Sequence, residues 1–500
     1  MSNTHSLQSQ SMHFKKHKIK KLALCAALTC TSFAAFNVQA DAEPPRNTFL
    51  ADSPWPMSHR NSYNQASSPL RGLEPGDRID VDYTAALPSI TLAYASDNVA
   101  WGSTFGSIYK VDTSTYWITK LDIKLQSLPE DGISGAYSLV DKDGDFFAPR
   151  DMSLTRYGDA VEGDPRSGIT TEAIFDIPSE LKTVEGEHVV GMNMTFDGHI
   201  ALATSAGLVM TISRDFTSYK AISLGANQEV SNSIAVDEDG GIFVVTSKQM
   251  HRVQWDGENL ELLWSADYEA GPDSPLPGRL GIGSGSTPSL MGKAGEDKFV
   301  VFTDGAELMN LVLMWRDEIP ADWEPVAEGK DRRIAAEFPI TFGISDRTKS
   351  ISEQSVMVRG HSAMVVDNEY SWDTSQLGED PQWGMLTVLF SNLKFNAPIG
   401  VEKFSWKSDT REVVSDWSNQ ESCPNGIPTM SEASNLAYCW GQIGGKWTIL
   451  GFDWDTGETK VEAPMGYLPK YNSTYAATQV VANRQVVGGT VSGVVRIQPK

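Results

Sequence analysis

The sequence predicts an all-β protein that folds as a single β-propeller of eight blades, with seven as the alternative. An N-terminal strand is expected to close the ring. Three observations predict this fold. A paired-strand pattern recurs eight times along the 500 residues, at intervals of roughly 40 to 70 residues. No convincing amphipathic helix interrupts the repeats. The last repeat ends the chain, and a strand-like stretch precedes the first.

Each repeat joins a short β-branched strand, a turn of small or polar residues, and a second alternating strand, as in "GHIALATSAGLVMTISRDFT" from Gly198. Alternation with a period of two is typical of strands, and Gly, Asp and Asn are typical of tight hairpins. The clear copies begin at Asn98, Gly198, Gly240 and Arg484, and the weaker copies at Gly144, Asp297, His361 and Asn435.

Two architectures fit repeated strand pairs: a ring of blades and tandem β-sandwiches. The ring explains this pattern better. One small sheet cannot bury both of its faces, whereas blades stacked around an axis can, and a closed ring removes most exposed strand edges. Residues 78–85 alternate Ile79, Val81 and Tyr83 with polar residues. We expect this strand to complete the last blade, so that the propeller comprises residues 78–500.

Residues 1–40 resemble a secretory signal peptide. Five lysines precede an apolar stretch from Leu22 to Phe36, and the small-residue pattern before Ala40 suits cleavage. We therefore expect a periplasmic or extracellular protein with no membrane span. Loss of the leader would lower the net charge from −23 to about −28, because it carries five lysines and no acid. Such a charge argues against binding to nucleic acid and to anionic membranes.

Residues 41–77 read as a lead-in segment. Its stretch "PWPMSHRNSYNQASSPL", residues 54–70, is too short and polar for a core element. We expect it to pack against the rim of the ring, with Trp55 as a buried anchor.

Two cysteines remain after cleavage, Cys423 and Cys439. In an oxidising compartment, one disulfide that staples a hairpin is the expected outcome. Redox or metal chemistry is not indicated, because the pair forms no CxxC motif and no histidine lies nearby.

The sequence also resembles quinoprotein dehydrogenase-type propellers, or PQQ-like repeat proteins. Trp55 is followed by Ser68-Pro69-Leu70, and "GFDWDTGETKV" from Gly451 is similar to their tryptophan-docking repeat, although Val461 stands where that repeat has tryptophan. The resemblance implies the propeller fold. It implies PQQ more weakly, because neither the adjacent cysteines of the alcohol dehydrogenases nor a CxxCH haem motif is present.

Two acidic stretches, "VDKDGDFF" from Val140 and "VDEDGG" from Val236, do not match the spacing of a calcium-binding EF-hand loop and are predicted to be hairpin turns. The glycine-rich residues 281–292 are expected to lead flexibly into the fifth blade. Most of the fourteen tryptophans are expected to pack between blades rather than to bind sugars.

Ligands of propellers usually bind at the mouth of the channel, where the connections between blades converge. Polar residues in or near those connections form the candidate ligand-binding set: Glu353, Asn232, Asn472, Tyr475, His361, Asp304 and Asn193. Such oxygens could hold Ca²⁺, which could polarise a carbonyl or activate water. The alternative is that these groups only satisfy backbone hydrogen bonds.

Three functions follow from the sequence. The leading hypothesis is a secreted propeller that binds a ligand or protein partner at its channel mouth. The alternatives are a PQQ-dependent type of oxidoreductase acting on alcohols or sugars, and a Ca²⁺-dependent hydrolase of the lactonase or esterase kind. No catalytic motif decides among them.

Overall fold

The computed structural model describes residues 43–86, 91–104, 106–123, 136–272, 279, 281–374, 377 and 381–500. Eight four-stranded antiparallel sheets form the blades, and the seventh carries two additional short strands. The one α-helix within the described residues is α1, Pro381–Leu389. The all-β fold and the eight blades are confirmed. The predicted signal peptide lies outside the described residues.

The first two strands of the chain belong to the last two blades: β1 is Ser67–Ser68 and β2 is Ile79–Ala85. Blade 1 contains β3 (Leu92–Ser96), β4 (Val99–Ser103), β5 (Ser107–Asp112) and β6 (Trp117–Asp122). Blade 2 contains β7 (Leu139–Val140), β8 (Phe146–Arg150), β9 (Ser153–Asp159) and β10 (Ile169–Asp176). Blade 3 contains β11 (Val189–Met194), β12 (His199–Thr204), β13 (Leu208–Ser213) and β14 (Tyr219–Ser223). Blade 4 contains β15 (Ala235–Val236), β16 (Gly241–Val245), β17 (Gln249–Trp255) and β18 (Leu260–Asp267).

Blade 5 contains β19 (Ser289–Met291), β20 (Phe299–Thr303), β21 (Asn310–Trp315) and β22 (Ile334–Pro339). Blade 6 contains β23 (Met357–Arg359), β24 (Ser362–Val366), β25 (Val401–Lys407) and β26 (Glu412–Asn419), with α1 between β24 and β25. Blade 7 contains β27 (Ser422–Ser431), β28 (Leu436–Ile443), β29 (Lys446–Asp453) and β30 (Thr459–Gly466), and both β1 and β31 (Ala476–Ala477) pair with β27. Blade 8 contains β32 (Gln479–Val481), β33 (Gln485–Thr490) and β34 (Gly493–Pro499), together with β2.

The first strand of each blade is the inner one. We call the end of the channel where the inner strands begin the upper end, and the end where they finish the lower end. Each repeat recognised in the sequence corresponds to the second strand of a blade and the turn and strand that follow it. The pattern was detectable there because in most blades these middle strands are longer than the inner strand and largely buried.

The N-terminal strand closes the ring, as predicted. β2 pairs antiparallel with β34, so that Val81 lies opposite Ile497 and Tyr83 opposite Val495. Ile79, Val81 and Tyr83 pack against the apolar core of blades 7 and 8. Distant ends of the chain therefore share one sheet, and blade 8 has no unpaired outer edge on β34.

Large aromatic side chains fill the spaces between blades. Trp315 of blade 5 and Trp406 of blade 6 each pack on Phe299, with ring centroids 4.8 and 4.7 Å apart. Trp417 of blade 6 donates a hydrogen bond to the Trp454 carbonyl of blade 7 at 2.9 Å. The expected role of the tryptophans in packing between blades is borne out at these positions.

Cys423 and Cys439 form the predicted disulfide. It joins β27 to β28, two neighbouring strands of blade 7, across a sequence separation of 16 residues. Both cysteines are buried among apolar side chains of the core, so the bond lies in the interior of the blade.

Candidate functional site

Residues 54–70, here called the axial segment, lie inside the ring. The sequence analysis placed this stretch against the rim, and that prediction is wrong. The segment makes a circuit past the inner strands in blade order. Its carbonyls accept hydrogen bonds of 2.8–3.0 Å from six inner-strand amides: Trp55 from Tyr94, Pro56 from Val140, Ser62 from Val236, Tyr63 from Leu290, Gln65 from Val358 and Ala66 from Met430.

Side chains complete the circuit at the two remaining blades. Asn193 of blade 3 donates to the Ser62 carbonyl at 3.0 Å, and Ser68 donates to the Val480 carbonyl of blade 8 at 3.2 Å. The inner strand of a blade has one unpaired edge, whose polar groups need partners when they are buried. The axial segment supplies those partners, which explains why a polar stretch is buried at the centre of the protein.

Tight curvature lets so short a segment touch all eight blades. Arg60, Asn64 and Ala66 have φ angles of 74°, 57° and 51°, in the left-handed region. The Asn64 amide donates to the Ile234 and Pro288 carbonyls at 2.9 and 3.0 Å, which ties blade 4 to blade 5. Trp55, predicted to be the buried anchor, is fully buried.

Glu353 lies on the upper side, in the connection before β23. It is buried, and its carboxylate is 3.8 Å from Nε of Arg279, in the connection between blades 4 and 5. A Cβ placed on Gly285 would lie 2.2 Å from the carboxylate, so the preceding strand connection packs directly on Glu353. The side chain thus packs on two groups of the neighbouring connection, between blades 4 and 5.

Three buried tyrosines lie within electrostatic range of the carboxylate of Glu353. The Tyr475 hydroxyl donates to the Tyr370 hydroxyl at 3.2 Å, and the Tyr370 hydroxyl is 3.3 Å from the Pro424 carbonyl. Burial, and in addition the nearby negative charge of Glu353, raises the pKa of Tyr137, Tyr370 and Tyr475. All three hydroxyls are therefore protonated at neutral pH and able to donate hydrogen bonds.

His59 of the axial segment lies below this group. Its ring centroid is 5.7 Å from that of Tyr137. It is 1% exposed, and neither ring nitrogen has a hydrogen-bond partner among the described residues. Burial lowers the pKa of His59 to about 4, so the ring is neutral at physiological pH.

The predicted asparagines are buried, and their side chains bond within the protein. Asn232 donates to the Ser284 carbonyl at 3.1 Å. Asn472 donates to the Val388 and Leu389 carbonyls at 3.0 and 3.2 Å, at the end of α1. Asn193 donates to the Ile234 carbonyl at 2.8 Å. These contacts connect neighbouring blades and attach α1 to them. They agree with the alternative interpretation, in which the polar side chains only satisfy backbone hydrogen bonds.

Asp304 and His361 do not join the group around Glu353. Asp304 accepts hydrogen bonds from the amide and side chain of Asn310 at 2.8 and 2.7 Å, in its own turn between β20 and β21. His361 lies in the turn between β23 and β24 at the lower end, with Nε2 2.8 Å from the Asp297 carbonyl. Of the predicted set, the structure brings only Tyr475 to Glu353.

Sequence reasoning missed Arg279, Tyr137 and His59. The first two precede inner strands in irregular connections, and His59 lies in a segment that was assigned to the rim. No local motif marks any of them. The available signal was positional: every residue just before an inner strand belongs to the upper end of the channel.

No three histidine, cysteine, aspartate or glutamate side chains come together as a metal site in the part of the chain that the structure describes. The two acidic stretches are turns, as predicted. Asp141 accepts from the amides of Asp143 and Asp145, both at 3.0 Å, and Asp237 accepts from Gly241 at 2.7 Å.

A surface depression of about 610 Å³ lies away from this group, on the lower side between blades 4 and 5. Arg252 pairs there with Asp317 at 2.6 Å, and Arg333 lies 4.3 Å from the Trp264 ring. Its charged groups are largely engaged with one another, and none belongs to the predicted site.

Comparison with known proteins identifies one family relationship. An "Uncharacterized protein" of Archaeoglobus fulgidus is 43% identical over 475 residues, which cover 91% of this chain and 89% of the archaeal protein. The chain belongs to the same family as that archaeal protein. No protein-family model matches the chain.

Solved structures similar to this chain have low identity. A streptogramin B lyase is 11% identical over 84% of this chain and 98% of its own, with a TM-score of 0.38. The WD40 repeats of RRP9 are 8% identical over 86% of this chain and 100% of their own, with a TM-score of 0.42. These similarities carry no argument about this chain, whose fold follows from its strand pairing.

Proposed function

We propose that this protein is a secreted propeller that binds a polar ligand at the upper mouth of its channel. The ligand would carry hydrogen-bond acceptors, such as a carboxylate. The observation that carries the proposal is the guanidinium of Arg279. Its Nε and Nη2 are buried without a hydrogen-bond partner among the described residues, and the side chain is 4% exposed.

A buried guanidinium with unused donors is costly unless an acceptor or water completes it. Arg279 uses Nη1 on the Gly283 carbonyl, at 2.7 Å, and Glu353 is 3.8 Å away, beyond hydrogen-bond distance. An anionic oxygen group could accept two parallel bonds from Nε and Nη2.

The position of the axial segment supports the upper mouth as the binding end. Residues 54–70 lie beside the inner strands in the channel and hydrogen-bond to every blade. A ligand reaching the axis from below would have to displace those bonds. Glu353 and Arg279 lie in connections that precede inner strands, and therefore belong to the upper end.

Thermal shift measurements test this proposal. The purified protein is screened against carboxylic acids, amino acids and sugar acids, alongside Arg279→Gln and the exposed control Arg332→Gln. We expect one of these classes of compound to raise the unfolding temperature of the wild type and of the control by a few degrees. The same compounds should leave the unfolding temperature of Arg279→Gln unchanged. The proposal fails if no class stabilises the wild type, or if Arg279→Gln responds equally.

Secretion is the second part of the proposal. The disulfide between Cys423 and Cys439 supports it, because such bonds persist in oxidising compartments. Expression of the full chain in a bacterial host, followed by fractionation and N-terminal sequencing, tests it. We expect periplasmic or extracellular protein that begins near residue 41. Cytoplasmic protein that keeps its leader would contradict it.

A relationship to PQQ-like propellers remains a hypothesis that rests on the sequence resemblance. One local feature supports it. The ring of Trp417 packs closely on Gly457, since a Cβ built on this glycine would lie only 2.5 Å from the ring. A tryptophan of blade 6 therefore packs on the turn that resembles the PQQ-like repeat. This feature concerns packing and not a quinone. We therefore propose no oxidoreductase activity from it, and no observation favours the hydrolase.

A further inference from the structure

Apolar side chains are exposed together on the upper side of blades 6 and 7. Half of the sixteen large exposed apolar residues in the described part of the chain lie in residues 377–399, 443 and 467–468. Phe395 is 61% exposed and Tyr467 is 62% exposed. Soluble monomers rarely expose such clusters without a function. The upper apolar patch, as we use the term, consists of Phe390, Leu393, Phe395, Ile443, Tyr467 and Leu468.

Hydrogen bonds show that the patch is continuous. Asn392, between Phe390 and Leu393, donates to the Gly445 carbonyl at 2.8 Å and to the Tyr467 carbonyl at 3.5 Å. The insertion in blade 6 therefore touches both the β28–β29 turn and the connection after β30. Trp372 supports it from beneath, with its ring centroid 6.1 Å from that of Phe390 and 6.2 Å from that of Phe395.

The adjacent helix α1 has an unusual composition for a surface helix. Its sequence, PQWGMLTVL, contains no charged residue. Val388 packs with Tyr370 and Tyr475, whereas Trp383, Leu386 and Leu389 remain half-buried. A helix that is apolar on all sides is normally covered on all sides. The exposed part of α1 extends the patch toward the channel mouth.

The charge of the patch is opposite to that of the protein. Residues 390–399, 443–446 and 467–470 contain three lysines and no acidic residue, on a chain of net charge −23. Glu379 and Asp380, in the same insertion, precede α1 and lie outside these stretches. The Lys446 ammonium lies 5.3 Å from the Tyr467 ring centroid, and Lys394 is exposed. A partner that complements this surface is both apolar and anionic.

We propose that the upper apolar patch docks the protein on the surface of an anionic lipid bilayer. A second copy is disfavoured, because pairing two identical patches would bring lysines against lysines. The aromatic residues of the patch would suit a protein partner as well as a lipid surface, but its three lysines favour the lipid, since Lys is depleted and Arg enriched in protein–protein interfaces. Protruding aromatic and aliphatic side chains flanked by lysines are typical of surfaces that enter the headgroup region.

Only a shallow attachment is inferred. No helix within the described residues is long and apolar enough to span a membrane. The side chains would enter the boundary between headgroups and acyl chains, while the lysines contact lipid phosphates. Because α1 lies between the patch and Tyr475, docking would bring the channel mouth close to the membrane.

Vesicle co-sedimentation tests the proposal. The full-length mature protein is mixed with vesicles of phosphatidylcholine alone or with phosphatidylglycerol. We expect binding to the anionic vesicles, and a loss of about tenfold or more in affinity for Phe395→Ser combined with Tyr467→Ser. The matched control is Leu263→Ser combined with Trp117→Ser, since these residues are 53% and 59% exposed on other blades. It should bind as the wild type does.

Reversing the charge of two lysines in the patch distinguishes binding to anionic lipid from binding to a second copy or a protein partner. Lys394→Glu combined with Lys446→Glu should weaken binding to anionic vesicles and reduce its salt dependence. Binding that is equal for the wild type and the Phe395/Tyr467 variant would overturn the proposal. So would an absence of binding to anionic vesicles; a dimer in light scattering that this variant abolishes would then identify a second copy as the occupant. Neither result bears on the ligand site at Arg279, which the thermal shifts test separately.

Discussion

The carbonyl oxygen of Trp55 accepts a hydrogen bond from the amide of Tyr94 at 2.8 Å. Tyr94 belongs to the inner strand of blade 1. Thirteen positions later, Ser68 bonds to Val480 in the inner strand of blade 8. The axial segment therefore makes a full circuit of the channel, and its two ends lie at neighbouring blades. β2 then closes the ring from outside, so the N-terminal region holds the propeller at both its inner and outer edges.

Replacement of Trp55 should destabilise the whole ring. Trp55 is fully buried, and Trp→Ala changes in cores cost about 3–5 kcal/mol. We expect Trp55→Ala to lower the free energy of unfolding by that amount, measured by equilibrium urea denaturation. The control is Trp117→Ala, because Trp117 is 59% exposed and its loss should cost less than about 0.5 kcal/mol. Equal effects of the two changes would show that the axial segment contributes little.

His59 should make the protein less stable in mild acid. Burial lowers the pKa of His59 to about 4, whereas an unfolded histidine titrates near 6.5. Below pH 6.5 the unfolded state gains a proton that the folded state does not, so stability falls between pH 6.5 and 4. The loss from this residue is on the order of 3 kcal/mol.

Comparison with His59→Gln isolates this contribution, since other groups titrate in the same range. Burial lowers the pKa of His251 to about 4 as well, and burial raises the pKa of Asp304 to about 6, which acts in the opposite direction. We expect the unfolding free energies of wild type and variant to differ by a constant above pH 7. Below pH 6.5 the wild type should lose stability more steeply. Parallel curves from pH 8 to pH 4 would contradict the prediction.

The disulfide should stabilise the protein moderately. It closes a loop with a sequence separation of 16 residues, for which chain entropy accounts for about 3 kcal/mol. Cys423→Ser combined with Cys439→Ser should lower the free energy of unfolding by roughly that amount without changing the fold, as followed by circular dichroism and urea denaturation. The variant should also become insensitive to reductant. A reductant-sensitive variant would disprove the assignment.

Gly285 should tolerate no side chain, because it packs on Glu353. A Cβ there would lie 2.2 Å from the carboxylate oxygen, which must then move. We expect Gly285→Ala to lower stability by about 1–3 kcal/mol and to weaken any ligand response found for the wild type. Gly384→Ala in α1 is the matched control, since its Cβ would enter open space and alanine favours a helix. The assignment fails if Gly285→Ala is as stable as the control.

Local pattern was sufficient for the blades. Period-two alternation in stretches such as residues 210–213 (MTIS) and 495–498 (VRIQ) depends on neighbouring residues only, and each hairpin turn is encoded within a few positions. The closing strand was predictable for the same reason: residues 79–85 alternate by themselves, and the blade at the C-terminus required a partner. The disulfide followed from the presence of two cysteines in a chain predicted to be exported.

The centre of the molecule depended on contacts that no local pattern carries. The axial segment is polar, and only the ring of unpaired inner edges makes its burial favourable. Arg279, Glu353, Tyr137 and Tyr475 come from four separate connections, which converge because eight blades share one axis. Asn193 and Asn472 looked like ligands because amides suit that role, yet the blades that surround them use the same hydrogen bonds for packing. Residue type and spacing are properties of the chain, whereas convergence on an axis is a property of the closed ring.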